Sequence, residues 1–137
     1  MTTIDMQTMR YINLLDKASH VKTRKCFIYN NTIIFAVPRV FMSQAIGHDA
    51  AHIKFIQEQI GKRIRIIEEA HGVEDSEKFI TAIVAPVTFK SLEIKEGMFI
   101  LTAGSQSKAA LIGRNRRRED ELRQISKDTF GLDLKII

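Results

Sequence analysis

Arg114, Arg116, Arg117 and Arg118 crowd into five residues directly after Gly113, in the run Leu111-Ile112-Gly113-Arg114-Asn115-Arg116-Arg117-Arg118. Guanidinium groups at that density are suited to gripping phosphate oxygens through paired N–H donors. A glycine beside them removes the β-carbon that would hold such an anion away from the main chain. The chemistry on offer is anion binding rather than bond making. His48-Asp49-Ala50-Ala51-His52 resembles the zinc pattern His-Glu-X-X-His in spacing, but the acid is the shorter aspartate and no third ligand is evident. No Ser/His/Asp set and no Gly-rich nucleotide loop stands out either. The reading is therefore no enzyme, no catalytic residue, no metal and no cofactor.

An earlier stretch, Ala45-Ile46-Gly47-His48-Asp49-Ala50-Ala51, has the same shape as the arginine run, with Gly47 and Gly113 66 residues apart. The offset extends backwards without a gap. Ile33, Ile34 and Phe35 fall over Phe99, Ile100 and Leu101, and Cys26 and Ile28 over Leu92 and Ile94. The chain is one unit written twice, with the polar stretch His71 to Asp75 at the join. The expected domains are residues 1–71 and 72–137. No histidine occupies the second copy's loop, a further objection to zinc.

The 137 residues carry a net charge of +5 and are 45% hydrophobic, which favours polyanionic partners without specifying one. Residues 1–71 hold ten Lys/Arg against six Asp/Glu, and residues 72–137 eleven against ten. The arginines after Gly113 are thus a focused patch in a nearly neutral half. No apolar run approaches the roughly 18 residues that span a bilayer, and the start does not read as a signal peptide. A single cysteine, Cys26, in an alternating apolar run suits a reducing compartment. A soluble, cytoplasmic protein without a membrane partner is expected.

Periodicity supplies the elements that position the glycines. Tyr11, Leu14, Leu15 and Ala18 predict a helix over about residues 4 to 18, starting near Thr3 or Asp5. Cys26 and Ile28, then Ile33, Phe35 and Val37, alternate on either side of Asn30-Asn31, a hairpin signal, and Pro38 ends the second strand. Phe41, Met42 and Ala45 give a short helix to Gly47. Ile53, Ile56 and Ile60 give a second helix, stopped by Gly61, and Arg63 to Ile66 a third strand. The second copy repeats this: a helix with Phe79, Ile80, Ile83 and Val84 ending before Pro86, strands with Phe89, Leu92, Ile94 and Phe99, Leu101, helices flanking Gly113, and a strand from Leu132 to Ile137. Loop glycine to stop glycine is four residues longer in the second copy. That is about one helical turn, which keeps Leu122, Ile125 and Phe130 inward and is expected to project polar residues outward beside the arginines.

Two helices meeting at an Ile-Gly-X-X-small loop on a three-stranded sheet resemble the KH RNA-binding domain, whose Gly-X-X-Gly loop clamps a single-stranded backbone. The order α-β-β-α-α-β is that of the type II variant, so the resemblance implies an α+β fold of two tandem type II KH domains with helices on one face of each sheet. Met9-Arg10-Tyr11-Ile12, Cys26-Phe27-Ile28, Ala45-Ile46-Gly47 and Ala85-Pro86-Val87 extend the likeness over the whole chain to the short archaeal NusA-like transcription factors. That family implies binding of nascent single-stranded RNA and modulation of elongation or termination by RNA polymerase, here by a monomer. The RNA-binding residues it implies are Ile46, Gly47, His48 and Ala50 in the first copy and Ile112, Gly113, Arg114, Asn115, Arg116, Arg117 and Arg118 in the second. Amides at the start of the helix after each glycine are expected to face the phosphate. The second loop glycine is replaced by Ala50 and by Arg116. Alanine at a helix start is expected to cost little strain, Asp49 to repel phosphate, and the four arginines to compensate in the second copy. The alternative is a degenerate KH scaffold that docks onto RNA polymerase or a ribonucleoprotein with little RNA binding of its own.

Overall fold

The computed structural model describes residues 6–137, so the expected helix start at Thr3 or Asp5 lies outside the described residues. Helix α1 (Met6–Ser19) leads to β1 (Lys25–Tyr29), β2 (Thr32–Val37), α2 (Met42–Ile46), α3 (Ala51–Ile60) and β3 (Arg63–Glu68). The order recurs as α4 (Ser76–Val84), β4 (Ser91–Lys95), β5 (Met98–Thr102), α5 (Ser105–Ile112), α6 (Arg117–Phe130) and β6 (Asp133–Ile136). The chain divides into two units, with the break between Glu69 and Ala70. Each has its own three-stranded sheet, and the architecture is α+β. Among the described residues no helix is long and apolar enough to cross a membrane.

Local chemistry explains the turns. Asn30 and Asn31 take φ of 50° and 59°, and Glu96 and Gly97 take 53° and 74°. Two successive left-handed residues match the twist of the strands they join, and asparagine and glycine adopt that conformation at least cost. Each hairpin is antiparallel, but β2 pairs in parallel with β3 and β5 with β6. Parallel neighbours cannot be closed by a hairpin and need a crossover. In the first unit that crossover is α2 and α3, in the second α5 and α6. The loop glycine lies midway along each.

The helices bury one face against the sheet. In the first unit Leu15, Ile33, Phe35, Val37 and Ile56 are fully buried, and Cys26 and Tyr11 belong to the same cluster. In the second, Phe79, Phe99, Leu101, Leu111, Leu122 and Leu134 are buried.

Two expectations need correction. Phe89 does not belong to a strand: β4 begins at Ser91, paired with Thr102, and β5 ends at that residue. The ladder therefore offers Phe89 no partner. Nor does the extra helical turn project beside the arginines. Helices α3 and α6 have 10 and 14 residues and start the same distance after their loop glycines, so the added turn lies at the far end of α6. Its last residue, Phe130, packs inward, with its ring edge-on to Phe79 and Phe99 at centroid distances of 5.6 and 5.4 Å.

The helix-to-strand joins use different chemistry for one task. In the first unit Gln57 Oε1 accepts the Ile64 amide at 3.3 Å. In the second, the equivalent amide of Leu134 is taken by Asp133 Oδ1 at 2.7 Å, and Arg123 holds both carboxylate oxygens of Asp133 at 2.9 and 2.8 Å. Hydrogen bonding from Arg123 foremost, then from the Leu134 amide, keeps Asp133 well below the usual carboxylate range, against the opposing effect of burial. Such a depressed group adds stability that is fully present above the ordinary value of 3.8 and fades as the pH falls toward the folded value. Asp133→Asn should lower stability by about 1 kcal/mol near neutrality, a figure discounted for the half-exposed pair. The deficit should stay level from about pH 5 to 8 and shrink below about pH 4. Urea unfolding across that range checks this, and a deficit that grows in acid would refute it.

Candidate functional site

The two glycine loops have one backbone. Gly47 and Gly113 take φ of 82° and 73° with extended ψ, and Asp49 and Asn115 take φ of 53° and 56°. Ala50 and Arg116 follow at 59° each, both left-handed. Ala50 and Arg116 thus keep the conformation that glycine adopts freely and an L side chain resists. This corrects the expectation that alanine would sit here with little strain.

The loop residues divide between core and solvent. Ile46 and Ile112 end α2 and α5 half-buried, whereas His48 with Asp49, and Arg114 with Asn115, are exposed at the tips. Arg116 and Arg117 are exposed as well. Arg116 Nη1 lies 3.7 Å from Glu119 Oε1, an i,i+3 pair that leaves its side chain largely in solvent. His48 Nε2 lies 3.3 Å from Asp49 Oδ2.

The amides behave differently from expectation. The Ala51 N–H bonds to the His48 carbonyl and the Arg117 N–H to that of Arg114, while Ala50 and Arg116 donate to Gly47 and Gly113. These first amides close the loop on itself instead of facing outward. Arg114, Arg116 and Arg117 add exposed positive side chains to the second loop. The left-handed residues 49 and 50 also end any single helix running from His48 to His52, so the two imidazoles do not share a helix face as the zinc pattern requires. Among the described residues no group of three potential metal ligands occurs.

Sequence reasoning missed one contact present in both copies. His52 Nδ1 lies 2.8 Å from the Gln44 carbonyl, and Arg118 Nη1 lies 3.0 Å from that of Ala110. His52 and Arg118 are separated by the repeat offset, as are Gln44 and Ala110. A carbonyl only accepts, so His52 Nδ1 is the donor in this contact. The offset was the available signal, hidden because the two donors are different residue types.

The strain is measurable. Ala50→Gly should raise stability by about 1 kcal/mol, and Ala50→Val, a β-branched residue forced to positive φ, should lower it by about 1–2 kcal/mol. Chemical denaturation checks both, and a destabilised glycine variant would contradict the left-handed conformation at position 50.

No family model matches the chain. Over 134 residues it is 23% identical to a Halococcus morrhuae protein named probable transcription termination protein NusA, covering 96% of this chain and 94% of that one. A Methanocaldococcus jannaschii protein of the same name is 24% identical over 131 residues, 92% of this chain and 70% of its own. The crystal structure of APE1850, 23% identical, matches 98% of this chain and all of its own with a TM-score of 0.67, a likeness of fold. The two curated relatives are named as transcription proteins, not as enzymes. Over nearly its whole length the chain is similar to archaeal proteins named as probable transcription termination protein NusA.

Proposed function

We propose that the chain is an RNA-binding transcription factor that modulates elongation or termination by RNA polymerase, built from two tandem type II KH domains at residues 1–71 and 72–137. The observation that carries this reading is the second loop. There a glycine turn at the crossover of a repeated α-β-β-α-α-β unit carries Arg114, Arg116 and Arg117, all exposed. Length-wide similarity to proteins named for transcription termination supports the same reading. The ligand class is single-stranded RNA, gripped at its phosphates by arginine forks, with bases lying over the groove beside Ile112 and Gly113. The first loop, whose tip carries Asp49, is the weaker site. The protein acts as a cytoplasmic monomer with RNA and RNA polymerase as partners.

A second reading is favoured by one observation in the first unit. Val40 and Phe41, directly before α2, are 82% and 44% exposed, where the repeat-equivalent residues are Gln106 and Ser107. Exposed apolar side chains of this kind suit a protein contact, so the first domain serves as a scaffold on polymerase or a ribonucleoprotein. The two readings are compatible when different domains carry them.

Anisotropy titration of short single-stranded RNA and DNA at several salt concentrations separates them. Three phosphate contacts give a log–log slope of about −2, or roughly fifteen-fold weaker binding between 50 and 200 mM salt. The triple variant Arg114→Ala, Arg116→Ala, Arg117→Ala should bring the slope close to zero, and an unchanged slope would remove the site. Undetectable RNA binding at low salt, with a polymerase complex that survives nuclease, would leave the scaffold reading alone.

A further inference from the structure

We infer that position 118, like its counterpart 52, holds a positioning residue of the loop and not a ligand of the bound strand. The same tie is built twice from unlike side chains. An imidazole in one copy and a guanidinium in the other reach back from the first turn of the second helix to the same carbonyl of the preceding helix, at 2.8 and 3.0 Å. Ala110 and Gln44 lie in the last turns of α5 and α2, where carbonyls lack a helical partner, so the donor supplies what the helix end needs.

Glycine is kept where this side chain passes. A β-carbon at position 47 would stand 2.8 Å from the His52 ring, and one at 113 would stand 2.9 Å from Arg118 Cγ. The glycines therefore make room for the tie as well as for the positive φ. This also resolves an electrostatic oddity. An arginine in the first turn of α6 opposes the helix dipole, but the Arg118 head lies at the carbonyl end of α5, where a cation is favoured. Neither α3 nor α6 has a side-chain cap at its N-terminus. With residues 49, 50, 115 and 116 held left-handed, the tie is the side-chain contact that keeps the two helix ends together across the turn.

The consequence for binding rests on the RNA-binding reading of the preceding section. Arg114, Arg116 and Arg117 are the phosphate ligands, and Arg118 sets the path on which they are displayed. Any side chain of sufficient reach with an N–H donor fills the role, and the first copy shows that histidine does.

Three variants decide this: Arg118→Ala, Arg118→His and His52→Ala, each first shown to be folded by circular dichroism. In the free protein, hydrogen exchange at the Arg116 and Arg117 amides should quicken about ten-fold in Arg118→Ala and stay within about two-fold of wild type in Arg118→His. His52→Ala should have the same effect at Ala50 and Ala51. With RNA, Arg118→Ala should weaken binding about ten-fold at an unchanged salt slope, and Arg118→His should recover most of the loss. Unchanged exchange in both alanine variants would overturn the inference. So would a slope that falls by about 0.7 in Arg118→Ala, the mark of one lost phosphate contact. Exchange is read without RNA, so it tests the tie even where the RNA-binding reading fails.

Discussion

The loops depend on one backbone constraint. To turn from one helix into the next within four residues, the chain takes positive φ at residues 47, 49 and 50, and again at 113, 115 and 116. Only the first of each three is glycine. An L residue held left-handed costs about 1–2 kcal/mol, so each loop carries a few kcal/mol of conformational strain that the surrounding structure must offset. The packing of the flanking helices provides most of it: Ala45 and Ile56 in the first unit, and Leu111 and Leu122 in the second, are fully buried. The core and the parallel strands fix the bodies of the helices, and the bonds from His52 to Gln44 and from Arg118 to Ala110 join their facing ends, where the four-residue path is set.

The elements were legible in the sequence because periodicity and turn chemistry agreed. Alternation at Ile33, Phe35 and Val37, the Asn30-Asn31 pair, the stop at Gly61 and the helix end before Pro86 each signal one local state, and each is found. Legibility failed where the outcome depended on a partner. Phe89 is as apolar as a strand residue, yet a strand requires a neighbour, and β5 has none to offer beyond Thr102. The extra turn of α6 was read by its polar composition, but its position along the helix is set by where the helix starts, and the single Phe130 then decides which way its end packs. At the site, the glycines and arginines were evident, and the placement of the 66-residue repeat put the two loops in equivalent positions. The φ of Ala50 and Arg116 was not evident, because nothing in those residue types announces a left-handed conformation. The tie at 52 and 118 was hidden for a related reason: histidine and arginine share a donor but not a residue class.

The two copies show how a conserved geometry tolerates changing chemistry. The first amide pairing at the helix-to-strand join is satisfied by the Gln57 side-chain oxygen Oε1 in one unit and by Asp133 under Arg123 in the other. The loop tie is an imidazole in one and a guanidinium in the other. In each case the invariant is a backbone group that must be paired, and the side chain is whichever one can reach it with the right polarity. Residue identity is therefore a poor guide to equivalence in this chain, and position within the repeat a good one.

The same logic separates the roles of the two loop tips. Asp49 and Asn115 occupy equivalent left-handed positions, and aspartate and asparagine tolerate that conformation better than most L residues. Conformation thus selects the pair of residue types, and only charge distinguishes its members. With the backbone held constant, the first tip combines His48 with an acid, whereas the second combines Asn115 with Arg114, Arg116 and Arg117. Two surfaces of one backbone shape and different side-chain charge arise in this way, and in each the first amide of the following helix is spent on a carbonyl of the loop itself. The second loop is the more positive of the two because of the arginines that its strained turn displays, and the strain and the tie act on one feature, the way that charge is displayed.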